Sequence, residues 1–255
     1  MWRVVPCVVA FAGCDLALGI DPIGALDARA LDAPRPDDGP AHIGPFAHYP
    51  MDSVDAMLHV VDVVGGFDAM CVSCPIMHTG KLGGALSFNV AGDKDRLEIP
   101  SAPPFANLDT FSVEGWLEMD ALTATSCPWS KPYGGADADS WQLCTANGML
   151  EFITEAGVPG DELTSADVFH ADAAWHHVAI VFDGTHKEIW LDGLRVAFGV
   201  AAVPAVDNHA IVLGGDVDTV ASVPMLKAAF QGELDDLQFF SYALAPEEIV
   251  ALSGH

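Results

Sequence analysis

The run Glu233-Leu-Asp-Asp-Leu-Gln238 holds residues whose types and spacing could do chemistry. On a strand, a period of two puts Glu233 and Asp235 on one face. Two carboxylates so placed could share the work of glycosidic cleavage, one as nucleophile and one as its helper. Clustered acids have a second use, since carboxylate oxygens suit a hard cation such as Ca²⁺. The pair His176-His177 is different. On a strand the two rings face opposite ways and cannot share a metal, which points to structural roles. The sequence has no Ser-His-Asp motif, no G-x-S-x-G elbow and no phosphate-binding Gly loop. Gly83-Gly84 opens a strand rather than a helix, so it makes no dinucleotide site.

Six cysteines divide into Cys7 and Cys14 near the start and Cys71, Cys74, Cys127 and Cys144 in the main body. In an exported chain the last four are expected to form two disulfides. Three pairings exist. Cys71–Cys74 with Cys127–Cys144 is favoured, because Cys127 and Cys144 fall near two strands that could pair as neighbours. A zinc site is the alternative. Cys71-Val-Ser-Cys74 has the spacing of a zinc finger, but Cys127 and Cys144 supply no second C-x-x-C.

The chain has 255 residues, 51% of them hydrophobic, enough for a full-sized core. Its net charge is −26, from 36 acidic and 10 basic residues. That charge excludes nucleic acid, whose phosphates need a positive surface, and disfavours anionic membranes. It serves solubility through self-repulsion, or supplies ligands for a cation.

Residues 1–14 read as a signal segment. Arg3 is the positive start, and Val4 to Phe11 forms an apolar core too short to span a bilayer. Phe11-Ala-Gly-Cys14 resembles a bacterial lipobox, with Cys14 as the lipidation site and Phe11 where Leu is usual. The other reading of this stretch is a buried N-terminal strand in a cytosolic protein. Residues 15–45 are an Asp-, Ala- and Pro-rich linker, unable to bury enough apolar surface to fold alone. A tether after a lipidated Cys would lift a domain off a membrane.

From residue 46 strand signals follow one another. Within Trp175 to Gly193, Val178, Ile180 and Phe182 alternate with Ala179 and Val181, so both faces are apolar, as in a strand covered on both sides. Asp183-Gly184 and Asp192-Gly193 are turns around the strand Glu188–Leu191. Asn147-Gly148 joins the strands Trp141–Cys144 and Leu150–Ile153. A last strand spans about 229–240. Pro246, with Glu247 and Glu248 in the first turn, starts a short helix through Leu252. Many short strands with little helix predict an all-β, two-sheet antiparallel sandwich over 46–255.

Three motifs in order, W-H-x-V-A-x-x-F-D-G with I-W-L-D-G, Gly83 to Pro100, and Phe230 to Leu244, resemble the laminin-G-like, or concanavalin A-like, jelly-roll domains. The pentraxin-related bacterial branch is the most similar. The resemblance implies a jelly roll with a short C-terminal helix. It also implies a calcium site, with Asp62 and Asp68 in the early acidic loop and Asp235 or Asp236 in the closing strand. Here the loop is apolar at Val63-Val64, and Cys71–Cys74 follows it. Turn capping is the other use for these acids. Laminarinase-type β-glucanases share the fold and use E-x-D-x-x-E, which Glu233, Asp235 and Gln238 match only in part.

Trp129 and Tyr133 fall in the polar, Gly-rich stretch 127–135. They read either as exposed rings for sugar stacking or, for Trp129, as core. Trp116, Trp175 and Trp190 read as core. The function expected is non-catalytic: an exported, membrane-anchored lipoprotein of the bacterial envelope binding carbohydrate or a cell-surface protein, touching membrane only through its lipid. A divergent polysaccharide hydrolase using Glu233 and Asp235, and a purely structural envelope protein, are the alternatives.

Overall fold

A computed structural model describes residues 44–88, 94–106, 109–119, 125–132, 134, 139–154, 161–166, 169, 171–205, 208–220 and 223–254. The signal segment with Cys14, the linker up to residue 43, and Tyr133 lie outside the described residues. The chain begins with β1 (Ala47–Tyr49), β2 (His59–Val60), β3 (Ala69–Ser73), β4 (Ile76–Thr79), β5 (Gly84–Phe88), β6 (Arg96–Ile99) and the single-turn α1 (Pro103–Ala106). β7 (Phe111–Met119), β8 (Ser126–Pro132), β9 (Asp139–Ala146), β10 (Met149–Thr154) and β11 (Glu162–Thr164) follow. Next come β12 (His176–Phe182), β13 (His186–Leu191), β14 (Leu194–Val200) and β15 (Ile211–Leu213). β16 (Asp216–Val220), β17 (Val223–Lys227), β18 (Gly232–Phe240) and α2 (Pro246–Leu252) end it.

Two large antiparallel sheets form a jelly-roll sandwich. In the first the order is β14-β13-β12-β7-β18-β5-β4, with β1 also on β18; in the second it is β11-β10-β9-β8-β15-β6-β3-β2. β16 and β17 form a separate hairpin. The turn chemistry acts as the sequence predicts. Asn147 and Gly148 take φ of 52° and 83°, and Asp192 and Gly193 take 49° and 76°. Two successive positive φ values match the right-handed twist of the strands they join.

The core forms where alternating positions of the two sheets meet. Val178, Ile180 and Phe182 point into the main core, while Ala179 and Val181 join Trp190, Phe240, Leu244 and Ile249 in a second cluster under α2. β12 is thus covered on both faces, as its composition predicts. Burial of a side chain such as Ile249 is worth about 2 kcal/mol, more than a surface ion pair, so apolar contact holds α2 in place. Trp116 and Trp190 are buried as expected, whereas Trp175 is only half-buried.

One stretch departs from its sequence reading. Residues 126–132 are not a loop but β8, between β9 and β15, with every residue buried. Pro128 and Pro132 fit there because the pairing with β9 shifts register at both places. Bulges accommodate residues that cannot donate to the ladder. Trp129 is 0% exposed and belongs to the main core. It presents no ring to a ligand, which corrects its assignment as a sugar-stacking residue.

Candidate functional site

Along β9, Trp141 and Leu143 enter the main core; along β10, Leu150 and Phe152 do the same. The residues between them must face outward. The register sets Gln142 beside Ile153 and Cys144 beside Glu151 on that outer face. Cys144 is bonded to Cys127 of the neighbouring β8, so the disulfide lies in the floor. The β16–β17 hairpin forms a wall. It is fastened to β8 by Cys127 N–H donating to Ala228 O at 2.8 Å and Ser130 Oγ donating to Gly215 O at 3.0 Å. The resulting groove has a volume of ≈ 460 Å³, to which the hairpin contributes Asp216, Asp218 and Lys227.

Three carboxylates and one ammonium therefore share a small space. Lys227 forms an ion pair with Asp218. Burial, then the neighbouring Asp218 charge, raises Asp216 to about 6, although a side-chain hydrogen bond shared with Asp139 and the charge of Lys227 oppose the rise. Burial, with the charge of Glu162, also raises Glu151. Gln142 and Asp216 are 8% and 9% exposed, and their Oε1 and Oδ1 atoms have no hydrogen-bond partner. A buried acceptor without a donor costs about 1–3 kcal/mol. An incoming ligand with donor groups would relieve that cost.

None of these groove acids stood out in the sequence. The usable signals were local: polar residues alternating with core residues in Trp141-Gln-Leu-Cys144 and Leu150-Glu-Phe-Ile153, and Asp216 and Asp218 two apart. Ala210-Ile-Val-Leu213 reads as a strand that ends at Gly214-Gly215, and the hairpin that follows carries no hairpin signal of its own.

The four acids assigned to calcium lie at a different corner. Asp62 Oδ1 accepts the N–H groups of His48, Val64 and Gly65 at 2.9–3.1 Å, and its Oδ2 accepts that of Phe67 at 3.0 Å. Burial pushes Asp62 up, but these four donors together hold it below the usual carboxylate range. Asp68 Oδ1 accepts the Asp62 N–H at 3.0 Å. In β18 a bulge follows Asp235, and Asp236 takes a φ of 50°. Asp236 Oδ1 lies 2.5 Å from His48 Nε2, and its Oδ2 accepts from Gln238 at 3.2 Å. That hydrogen bond raises the His48 pKa against its burial. Asp235 is sealed under the 81–82 backbone, accepts the Leu82 N–H at 2.7 Å, and is raised by burial to about 6.

Both oxygens of Asp62 and of Asp236 face nitrogen groups, and Asp235 keeps one oxygen unpaired but closed off beneath the 81–82 backbone. The set does not fit a calcium ion, and among the described residues no group of three or more His, Cys, Asp or Glu converges for a metal. The acids cap turns and fasten β1 to β18. Gln238 serves the same fastening. Glu233 is paired with His78 rather than left free beside Asp235. His176 and His177 separate as expected, to Asp192 at 2.8 Å and to buried Glu114 at 2.7 Å. The structure joins Cys71 to Cys74 and Cys127 to Cys144, the favoured pairing, which leaves none of these four as a thiolate for zinc.

Comparisons with known proteins agree with this architecture. The family model described as the concanavalin A-like lectin/glucanases superfamily matches residues 91–250. Neuronal pentraxin-2 of Cavia porcellus is 25% identical over 148 residues, 56% of this chain and 33% of that protein. The human protein is 24% identical over 153 residues, covering 58% and 34%. The matched part thus spans about a third of these relatives. Domain 4 of an extracellular arabinanase from Geobacillus stearothermophilus, solved with arabinotriose, superimposes with a TM-score of 0.62 at 17% identity. It covers 83% of this chain and 99% of that one. The binding domain of botulinum neurotoxin serotype D gives 0.60 at 15%, over 83% and 50%. A Trypanosoma rangeli sialidase mutant with trans-sialidase activity gives 0.61 at 16%, over 82% and 32%. At these identities the likeness is one of fold.

Proposed function

The chain belongs to the concanavalin A-like lectin/glucanases superfamily, and on that premise we propose that it is a non-catalytic carbohydrate-binding domain whose ligand lies in the groove between β9, β10 and the β16–β17 hairpin. The observation that carries this is the pair of buried acceptors, Gln142 Oε1 and Asp216 Oδ1, left without donors in an open groove. Sugar hydroxyls supply donors in a planar array, and a site built to hydrogen-bond them discriminates strongly against ligands that lack them. The arabinanase domain solved with arabinotriose supports the reading. Two disulfides fit an oxidising compartment, which agrees with an exported, lipid-anchored setting.

The test is calorimetric titration of the full chain with arabino-, xylo-, cello- and chito-oligosaccharides. At least one binds, and Gln142→Ala abolishes binding while leaving the circular dichroism spectrum intact. Binding that survives Gln142→Ala, or no binding by any of them, would overturn the proposal. The hydrolase alternative predicts reducing-sugar release that disappears in Glu233→Gln. The His78–Glu233 pair and the sealed position of Asp235 weigh against it.

A further inference from the structure

We infer that the groove prefers sugars bearing a free, protonated amino group over N-acetylated, neutral and anionic sugars. The inference rests on the carbohydrate-binding reading of the same site and names its ligand class.

The charge balance is the first ground. Glu151, Asp216 and Asp218 line the groove, against Lys227 alone. Lys227 is already paired with Asp218, so its charge is spent within the wall. An anionic sugar would meet net negative charge at short range in a partly desolvated site, where repulsion is poorly screened. The second ground is the kind of atom left unpaired. Gln142 Oε1 and Asp216 Oδ1 are acceptors. An ammonium offers three donors and no acceptor, whereas a hydroxyl brings one donor and two lone pairs that also need partners. An N-acetyl group removes the charge and two of the donors. The third ground is composition. No aromatic ring lines the groove among the described residues. Among the described residues the apolar lining is Ile153, Ala228 and the Cys127–Cys144 disulfide, none of them a flat ring for a neutral sugar face, so polar contacts carry selectivity.

Titration adds a sign. Asp216, raised to about 6 by burial and Asp218, ionises between pH 5 and 7. Glu151, also raised by burial, moves the same way. Asp139 and Lys227 oppose by favouring the Asp216 carboxylate. A ligand whose amine stays protonated across that range therefore binds more tightly at pH 7 than at pH 5.

The experiment compares tetramers on one β-1,4 backbone by titration into the full chain: glucosamine, N-acetylglucosamine and glucose, with β-1,4-linked tetraglucuronate as the anionic probe. The glucosamine tetramer binds about tenfold more tightly than the next best, the gain expected of one charge-assisted hydrogen bond. Asp216→Asn keeps the shape and removes that preference; Glu151→Gln, on a different strand, reduces it and serves if Asp216→Asn misfolds. Equal binding of the glucose or N-acetylglucosamine tetramer, lost in Gln142→Ala, overturns this inference and leaves the proposed function standing. Binding by none of them, here or among the arabino- and xylo-oligosaccharides, overturns both. Glucosamine binding that persists in both charge variants is non-specific attraction to a chain of net charge −26, and also overturns the inference.

Discussion

At the corner where β1 meets β18, Asp62 receives four backbone N–H groups, and Asp236 lies between His48 and Gln238. In the groove on the second sheet, Asp216 and Gln142 are as deeply placed, yet each keeps an oxygen without a donor. Both regions bury acids, and composition does not distinguish them. The difference is where the donors come from. At the corner the chain supplies them, so the acids hold the fold. In the groove the floor is side chains on a finished sheet, whose backbone donors are spent in the ladder. Its acceptors must look outside the chain. Asp235 lies between the two cases, with one oxygen on the Leu82 N–H and the other unpaired, but the 81–82 backbone closes it off.

The largest effect that could break this comparison is Asp62→Ala. Removing the acceptor of four N–H groups costs about 3 kcal/mol of stability and leaves groove binding unchanged. Urea unfolding measures it, and a loss under about 1 kcal/mol would mean water serves those donors equally well. Asp62→Asn, which keeps one acceptor oxygen, falls between.

Next is Asp216→Asn, the reverse case. Stability stays the same or rises, since burial disfavours the charged form. Binding of the glucosamine tetramer falls about tenfold. A variant that destabilised the fold and left binding alone would make the groove acids structural.

A smaller effect sharpens the comparison through pH. Asp216 and Asp235 have folded pKa values near 6, above the unfolded value of 3.8. Each contributes stability that is fully present below pH 4 and is lost as pH rises through about 6. Asp62, held low, behaves oppositely, with its change finished near pH 4. The urea midpoint therefore falls between pH 4.5 and 6.5, and Asp216→Asn combined with Asp235→Asn flattens that fall. An unchanged slope in the double variant would assign the fall to other groups, such as buried Glu114.

The smallest expected effect is that of calcium. Thermal unfolding curves in calcium and in chelator superimpose, because Asp62 and Asp236 are already engaged and Asp235 is closed off. A rise in midpoint with calcium would show that the corner rearranges around a cation.

Much of the fold was legible because it is local. The Asp-Gly and Asn-Gly turns, the double-sided alternation of β12 and the Pro-Glu-Glu start of α2 each state their structure within a few residues. β8 was misread because the stretch 127–135 is polar and Gly-rich, and only the partner strand shows that it pairs, with register shifts that admit Pro128 and Pro132. The lone carboxylate pair of Glu233 and Asp235 drew attention by spacing. Its neighbours, His78 in β4 and the Leu82 N–H in the turn after it, arrive from about 150 residues away in the chain.

The sequence by itself determined that this chain is an acidic, disulfide-bonded, two-sheet sandwich of a recognisable family, since periodicity, turn residues and cysteine placement are properties of neighbours along the chain. Tertiary structure alone decided which acids are satisfied and which are open. Whether a buried oxygen finds a donor depends on the strand that packs beside it, and the sequence around Asp62 and around Asp216 carries no record of that neighbour.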